Sequence, residues 1–232
     1  YWNDSQIEDA MSELEIRRSI IDHCRQMNET GLNQGTSGNI SVRHGDRMLI
    51  TPSSVPYGEM EPDMIASIAL HRTDGAWEGP RKPSVEWWFH HAIMRTRPDV
   101  NSVIHTHSTY ATILAIARKP IPACHYMIAA FGGKDVRVCN YARYGTQELA
   151  ANVLKAMEGR SACLMANHGM VVTGSSLPKA MWAAIELETI AKQYYHTLLI
   201  GGPVILPDEE IEGVAKSFGT YGHQSVKAKA GN

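Results

Sequence analysis

The stretch NSVIHTHSTYAT, residues 101–112, sets two histidines, His105 and His107, one residue apart in an otherwise apolar run. In a strand, residues i and i+2 point to the same face, so the two imidazoles project side by side with Thr106 turned away. Two outcomes are open at this point. The pair can hold a metal ion, or one ring can be a hydrogen-bonded core residue while the other faces solvent. After His107 the period changes, and the spacing predicts a helix through about Arg118. A strand feeding directly into a helix is the unit of an α/β fold.

Working outward, the same alternation recurs. SELE at residues 12–15 is a capping box that opens a helix closed by Gly31. NISVRHGDRMLIT reads as two strands around a His-Gly-Asp turn, and MIASIALHRTDG as a further strand. KPSVEWWFHHAIMRTRPD predicts a helix opening at Ser84 and stopped by Pro98. Short strands are expected around Tyr126 and Val138, then a helix from Thr146 to Glu158. ACLMANHGMVVTG reads as a buried strand pair, followed by a long helix from SLPKAMW and a short one over DEEIEGVAKSFG. The expectation is one α/β domain over residues 1–232, with a central sheet that is at least partly antiparallel.

The chain has 232 residues, 44% of them hydrophobic and 20% charged, with a formal net charge of −2. Those values fit a globular chain and leave no basic patch for nucleic acid or an anionic membrane. The N-terminal stretch lacks the pattern of a secretory signal, and no apolar run reaches the length of a membrane span. Four dispersed cysteines, without a CxxC, suit reduced thiols. The expected setting is the cytoplasm.

Two further residues join the histidine pair. His168 stands beside Gly169, where the chain must turn, and Glu86 stands near a helix start. Each has an ordinary structural explanation alone. Together, Glu86, His105, His107 and His168 make a three-histidine, one-carboxylate set that suits a tetrahedral divalent cation such as zinc. A second site is suggested by Gly35, Gly38 and Asn39 before one strand, with Thr51, Ser53 and Ser54 after its partner. Freed backbone N–H groups and side-chain donors there can hold a phosphate, with Ser84 joining from a helix N-terminus; the same residues can equally just make turns and a cap.

The segments GLNQGTSGNISVR, MLITPSSVPY, PSVEWWFH, RPDVNSVIHTHS, IPACHYMIAAFGG, YGTQELA, NHGMVV and EEIEGVAKSFGTYG, in this order, resemble the class II aldolase/adducin family, and most closely its L-fuculose 1-phosphate branch. The resemblance implies a three-layer α/β/α domain with a mostly antiparallel sheet, a core of about residues 12–222 and a flexible tail over 223–232. It implies Zn²⁺ or another divalent metal on His105, His107 and His168, with Glu86 as fourth ligand and proton shuttle. It implies reversible cleavage of a ketose 1-phosphate to dihydroxyacetone phosphate and a hydroxyaldehyde. Tyr126, reaching in from a neighbouring subunit of a homotetramer, and Tyr221 are the further catalytic residues it implies, with Phe218 in the covering tail.

Its phosphate cradle maps onto Gly38, Asn39, Ser53, Ser54, Ser84 and Val85, with two departures. Ser54 stands where that branch has glycine, and Val85 where it has serine. Other members of the family decarboxylate acids or epimerise sugar phosphates, and an adducin-like module binds without catalysis. Glu86 argues against the epimerases, which carry aspartate there, and the intact ligand set argues against a binding module.

Overall fold

Ser12 opens the first helix as SELE requires: its backbone N–H donates to the Glu15 carboxylate at 2.7 Å, and its hydroxyl accepts the Glu15 N–H at 3.3 Å. The computed structural model describes residues 12–218; Tyr221, the expected tail and the N-terminal stretch lie outside the described residues. Helix α1 (Glu13–Glu29) buries Ile16, Ile20, Ile21, Cys24 and Met27. Strands β1 (Asn39–His44) and β2 (Arg47–Ile50) form a hairpin whose turn uses Gly45 at φ +58°, a conformation glycine adopts without strain. Strand β3 (Ala66–Ala69) pairs with β2.

Helix α2 (Trp87–Thr96) begins three residues later than the spacing predicts. The Ser84 N–H is held by Thr51 O at 2.9 Å and Pro83 bridges Pro52, so the chain stays tied to the exit of β2 before it can wind. Glu86 therefore sits at the N-cap position rather than in the first turn, and its side chain makes no capping bond. Strand β4 (Ser102–Thr106) leads into α3 (Thr109–Ile116).

The strand expected around Tyr126 is absent: Tyr126–Phe131 is a 3₁₀ turn, opened by the His125 ring accepting the Met127 N–H at 3.2 Å and closed by Gly132 at φ +88°. Extended pairing falls earlier, at the bridge between Ile121 and Val136. The remaining elements are β5 (Val138–Cys139), α4 (Gln147–Ala156), β6 (Ala162–Met165), β7 (Gly169–Gly174), α5 (Leu177–Leu199) and α6 (Asp208–Phe218).

The seven strands form one sheet in the order β3-β2-β1-β4-β7-β6-β5. Only the β5–β6 pair is parallel. Strand alternation sends Ile40, Val42, Ile104, Leu164 and Val172 to the face covered by α1, α3 and α5. It sends Met48, Val103, Cys163 and Val171 to the face covered by α2 and α4. The result is an α/β/α sandwich. Arg43 fixes α2 against the sheet by donating to the carbonyls of Met94 at 2.6 Å and Arg97 at 3.1 Å, where the helix dipole favours a cation.

Candidate active site

Strand β4 carries His105 on the α2 face, and His107 follows one residue past the strand end on the same side. The three-residue turn between β6 and β7 supplies His168, and Asn167 adopts φ +54° to make that turn. Glu86 enters from the start of α2. Within the cluster the three imidazole centroids lie 4.8 to 4.9 Å apart. One ligand atom from each of the four residues lies within 4.8 Å of the others. Glu86 Oε2 is 3.2 Å from His105 Nε2, and Oε1 is 3.1 Å from His168 Nε2.

The cluster is built for electron donation into its centre. His105 Nδ1 lies 2.8 Å from Met170 O, so that nitrogen carries the proton and Nε2 presents its lone pair inward. Glu86 Oε1, His105 Nε2 and His107 Nε2 are buried without a hydrogen-bond partner. Leaving a buried polar atom unpaired costs roughly 1–3 kcal/mol, so three converging on one point are a poor arrangement for the protein alone. They fit a divalent cation, with three borderline-soft nitrogens and one hard oxygen.

Burial opposes charge on Glu86, but the positive field of His105 and the close approach of both neighbouring imidazoles override it and hold the carboxyl well below its usual range. Burial, with the His105 and His168 charges, pushes His107 down to about 4. A neutral His107 and an ionised Glu86 are the protonation states that metal binding needs at those two positions.

The frame around the cluster explains two glycines. A Cβ on Gly169 would sit 2.4 Å from Thr106 O and 3.0 Å from the His107 ring. A Cβ on Gly38 would sit 2.8 Å from His105 O. The sheet closes on the histidines only because both side chains are missing. Asn33 accepts the His107 N–H at 3.2 Å, and Glu188 of α5 accepts the N–H groups of Tyr110 and Ala111 at 2.8 and 2.9 Å, fixing the start of α3 just after His107.

The residues of the expected phosphate cradle divide. Ser53 and Ser54 lie together, their hydroxyls 3.4 Å apart, and Ser54 takes φ +60°, a left-handed conformation that glycine adopts freely. Ser84 Oγ accepts the Glu86 N–H at 3.4 Å, which places it beside the cluster. Asn39 is committed elsewhere, its Nδ2 donating to Glu86 Oε2 at 2.9 Å. Val85 is half exposed at the mouth of a cleft of about 270 Å³ that reaches Glu86, His107 and His168. Tyr141 and Tyr144 line the same cleft, and sequence reasoning passed over both. Tyr126 is not among the residues lining it; it is exposed and stacked on His125 at 4.8 Å.

A profile of the family described as Class II Aldolase and Adducin N-terminal domain matches residues 18–195. The chain belongs to the class II aldolase and adducin family, and its Glu86, His105, His107 and His168 cluster is compatible with metal binding. Within that family it is an aldolase, a carbon–carbon lyase. It is 50% identical over 211 residues to a 5-methylthioribulose-1-phosphate/5-deoxyribulose-1-phosphate aldolase of Rhodospirillum rubrum, covering 91% of this chain and 94% of the relative. It is 44% identical to an L-fuculose phosphate aldolase of Escherichia coli strain K12, covering 91% and 98%. A solved L-fuculose 1-phosphate aldolase, 44% identical, superposes with a TM-score of 0.85 over 88% of this chain and 96% of its own.

Proposed function

We propose that this chain is a zinc-dependent aldolase that reversibly cleaves a ketose 1-phosphate to dihydroxyacetone phosphate and a short aldehyde. The observation that carries the reading is the convergence of three unpartnered donor atoms of Glu86, His105 and His107 on one point, with His168 alongside. When bound there, Zn²⁺ or another divalent cation supplies a Lewis acid for the ketose carbonyl and for the negative charge that develops beside it.

His105, His107 and His168 would hold the ion, with Glu86 completing the set. Glu86 would accept and return a proton once substrate takes its place; its ionised state in the cluster equips it for that role. The hydroxyls of Ser53, Ser54 and Ser84, with the backbone at Gly38, receive the phosphate. Asn39 Nδ2 loses its acceptor when Glu86 leaves and becomes a further donor to the phosphate. Tyr126 serves the aldehyde oxygen of a neighbouring subunit's site, and Tyr221, outside the described residues, is the second tyrosine assigned to catalysis. We further assign the chain to a cytoplasmic homotetramer; exposed Trp182 and Ile185, one helical turn apart on α5, leave apolar surface for contact with another copy.

The aldehyde is set by the far end of the ketose. Lactaldehyde follows from L-fuculose 1-phosphate, and acetaldehyde or its methylthio derivative from a 5-deoxy- or 5-methylthio-pentulose 1-phosphate. Val85 in place of a hydroxyl donor weakens the cradle by about 1.5–3 kcal/mol if nothing replaces the bond, enough to change substrate preference. Decarboxylation of a keto acid is the rival. The test is a screen of small phosphorylated ketoses and keto acids with the zinc-loaded protein. Dihydroxyacetone phosphate released from a ketose 1-phosphate is expected. Carbon dioxide from a keto acid, without triose phosphate, would establish the rival instead.

A further inference from the structure

A buried polar chain runs up to Glu86 through Asn39, and its other two members, Ser41 and His90, have no role above. Ser41, His90 and Asn39 are 0%, 0% and 4% exposed. Ser41 Oγ lies 2.7 Å from His90 Nδ1, His90 Nε2 lies 2.6 Å from Asn39 Oδ1, and Asn39 Nδ2 donates to Glu86 Oε2 at 2.9 Å. Elementary donor counting fixes the direction of every link. A carboxylate only accepts, so the NH₂ side of Asn39 must face Glu86 and its carbonyl must face His90. That carbonyl only accepts, so His90 Nε2 carries the proton. Nδ1 of the neutral ring then accepts from the Ser41 hydroxyl. Burial, which pushes His90 down to about 3, keeps the ring in that neutral form.

An isolated asparagine amide has two orientations related by a half-turn. With the amide reversed, a carbonyl oxygen would face the carboxylate and an attraction would become a repulsion. We propose that His90 is a positioning residue for Glu86: its Nε2–H locks the Asn39 amide with the NH₂ group toward the carboxylate. In the cluster as it stands Oε2 is thereby pinned, and Oε1, 3.1 Å from His168 and without a hydrogen bond, is left as the oxygen offered to a metal. Only its consequence for turnover rests on the aldolase reading; the amide lock itself does not.

The test is a cycle of variants in the full-length protein, read by urea unfolding. His90 and Glu86 do not bond each other, so the part of their coupling that disappears with the Asn39 amide is the part the amide carries. The midpoint shifts of His90→Phe and Glu86→Gln are expected to be non-additive, and to become additive in an Asn39→Ala background. Additive shifts in both backgrounds would overturn the proposal, because a ring that merely packs has no reason to sense Glu86. With zinc loaded, turnover of the cleaved ketose by His90→Phe is expected to fall roughly 10- to 100-fold. The visible band of the cobalt-loaded form should change with it, and a band and rate like wild type would count against the lock. If His90→Phe does not fold, Ser41→Ala takes its place; it frees the ring to turn, and should lower turnover a few-fold, no change again counting against the proposal. A wild-type protein that cleaves no ketose 1-phosphate would remove the functional reading, and the unfolding cycle would still decide the amide lock.

Discussion

Glu86 illustrates how one residue's place is set by its neighbours. It lies at a helix start, where an acidic side chain is ordinary, yet it makes no capping bond and turns its carboxylate toward three imidazoles. Glu86→Gln keeps the shape and one oxygen ligand while removing the base. It is expected to retain metal at the wild-type stoichiometry and lose roughly 10²- to 10⁴-fold in turnover. Near-normal rates in that variant would exclude Glu86 as the base. At this scale the clustering of the four residues was legible, because strand periodicity pairs His105 with His107 and the family resemblance joined His168 and Glu86 to them. His90 was less so: it stands four residues after Glu86, a helical spacing that places both on one face, but it reads from sequence as one apolar-face histidine in FHH. Tyr141 and Tyr144 gave no signal, since aromatic residues in a loop have no period to betray them.

Elements bring the residues together only where backbone approaches backbone. Strands β4 and β7 pair along Ser102–Thr106, and Gly169 lies where a Cβ would press into Thr106 O and both histidine rings. Gly169→Ala is expected to force the strands apart, lower the urea midpoint by the equivalent of about 1–3 kcal/mol, and release metal in a chelator competition. An alanine variant with wild-type stability and metal retention would show that the approach is not needed. The helices and the hairpin were legible through capping boxes, glycine stops and alternation. The start of α2 was not, because the bond from Ser84 N–H to Thr51 O crosses more than thirty residues of sequence and overrides a local N-cap signal. The 3₁₀ turn at Tyr126 escaped for a similar reason: IPACHYMIAAF is apolar enough for a strand, and it is the His125 ring that diverts it.

At the scale of the molecule, buried histidines tie stability to pH. Burial is the main cause that brings His90 to about 3 and His107 to about 4, against about 6.5 in the unfolded chain. Below that unfolded value the unfolded chain binds more protons, so stability falls as pH drops from about 6.5 toward those folded values. His105 works against this trend: burial pushes it down, but the Glu86 charge outweighs burial and raises it. Three depressed rings, with His91 lowered by burial as well, against one raised ring predict a melting temperature that declines between pH 6.5 and 4 in chelator-treated protein, with a shallower decline in His90→Phe. Equal slopes for the two proteins would remove His90 from this linkage. The three-layer sandwich was legible from alternation of strands and helices together with the family resemblance. Assembly was not, because a surface that meets another copy carries no period of its own.

The central claim is that Glu86, His105, His107 and His168 together hold one divalent cation. Elemental analysis of the purified wild-type chain beside a folded His107→Ala variant tests it most directly. One equivalent of zinc or a similar divalent metal per chain, falling to a small fraction in the variant, is the predicted result. A fully folded wild-type chain that takes up no such metal, or a variant that keeps all of it, would contradict the account.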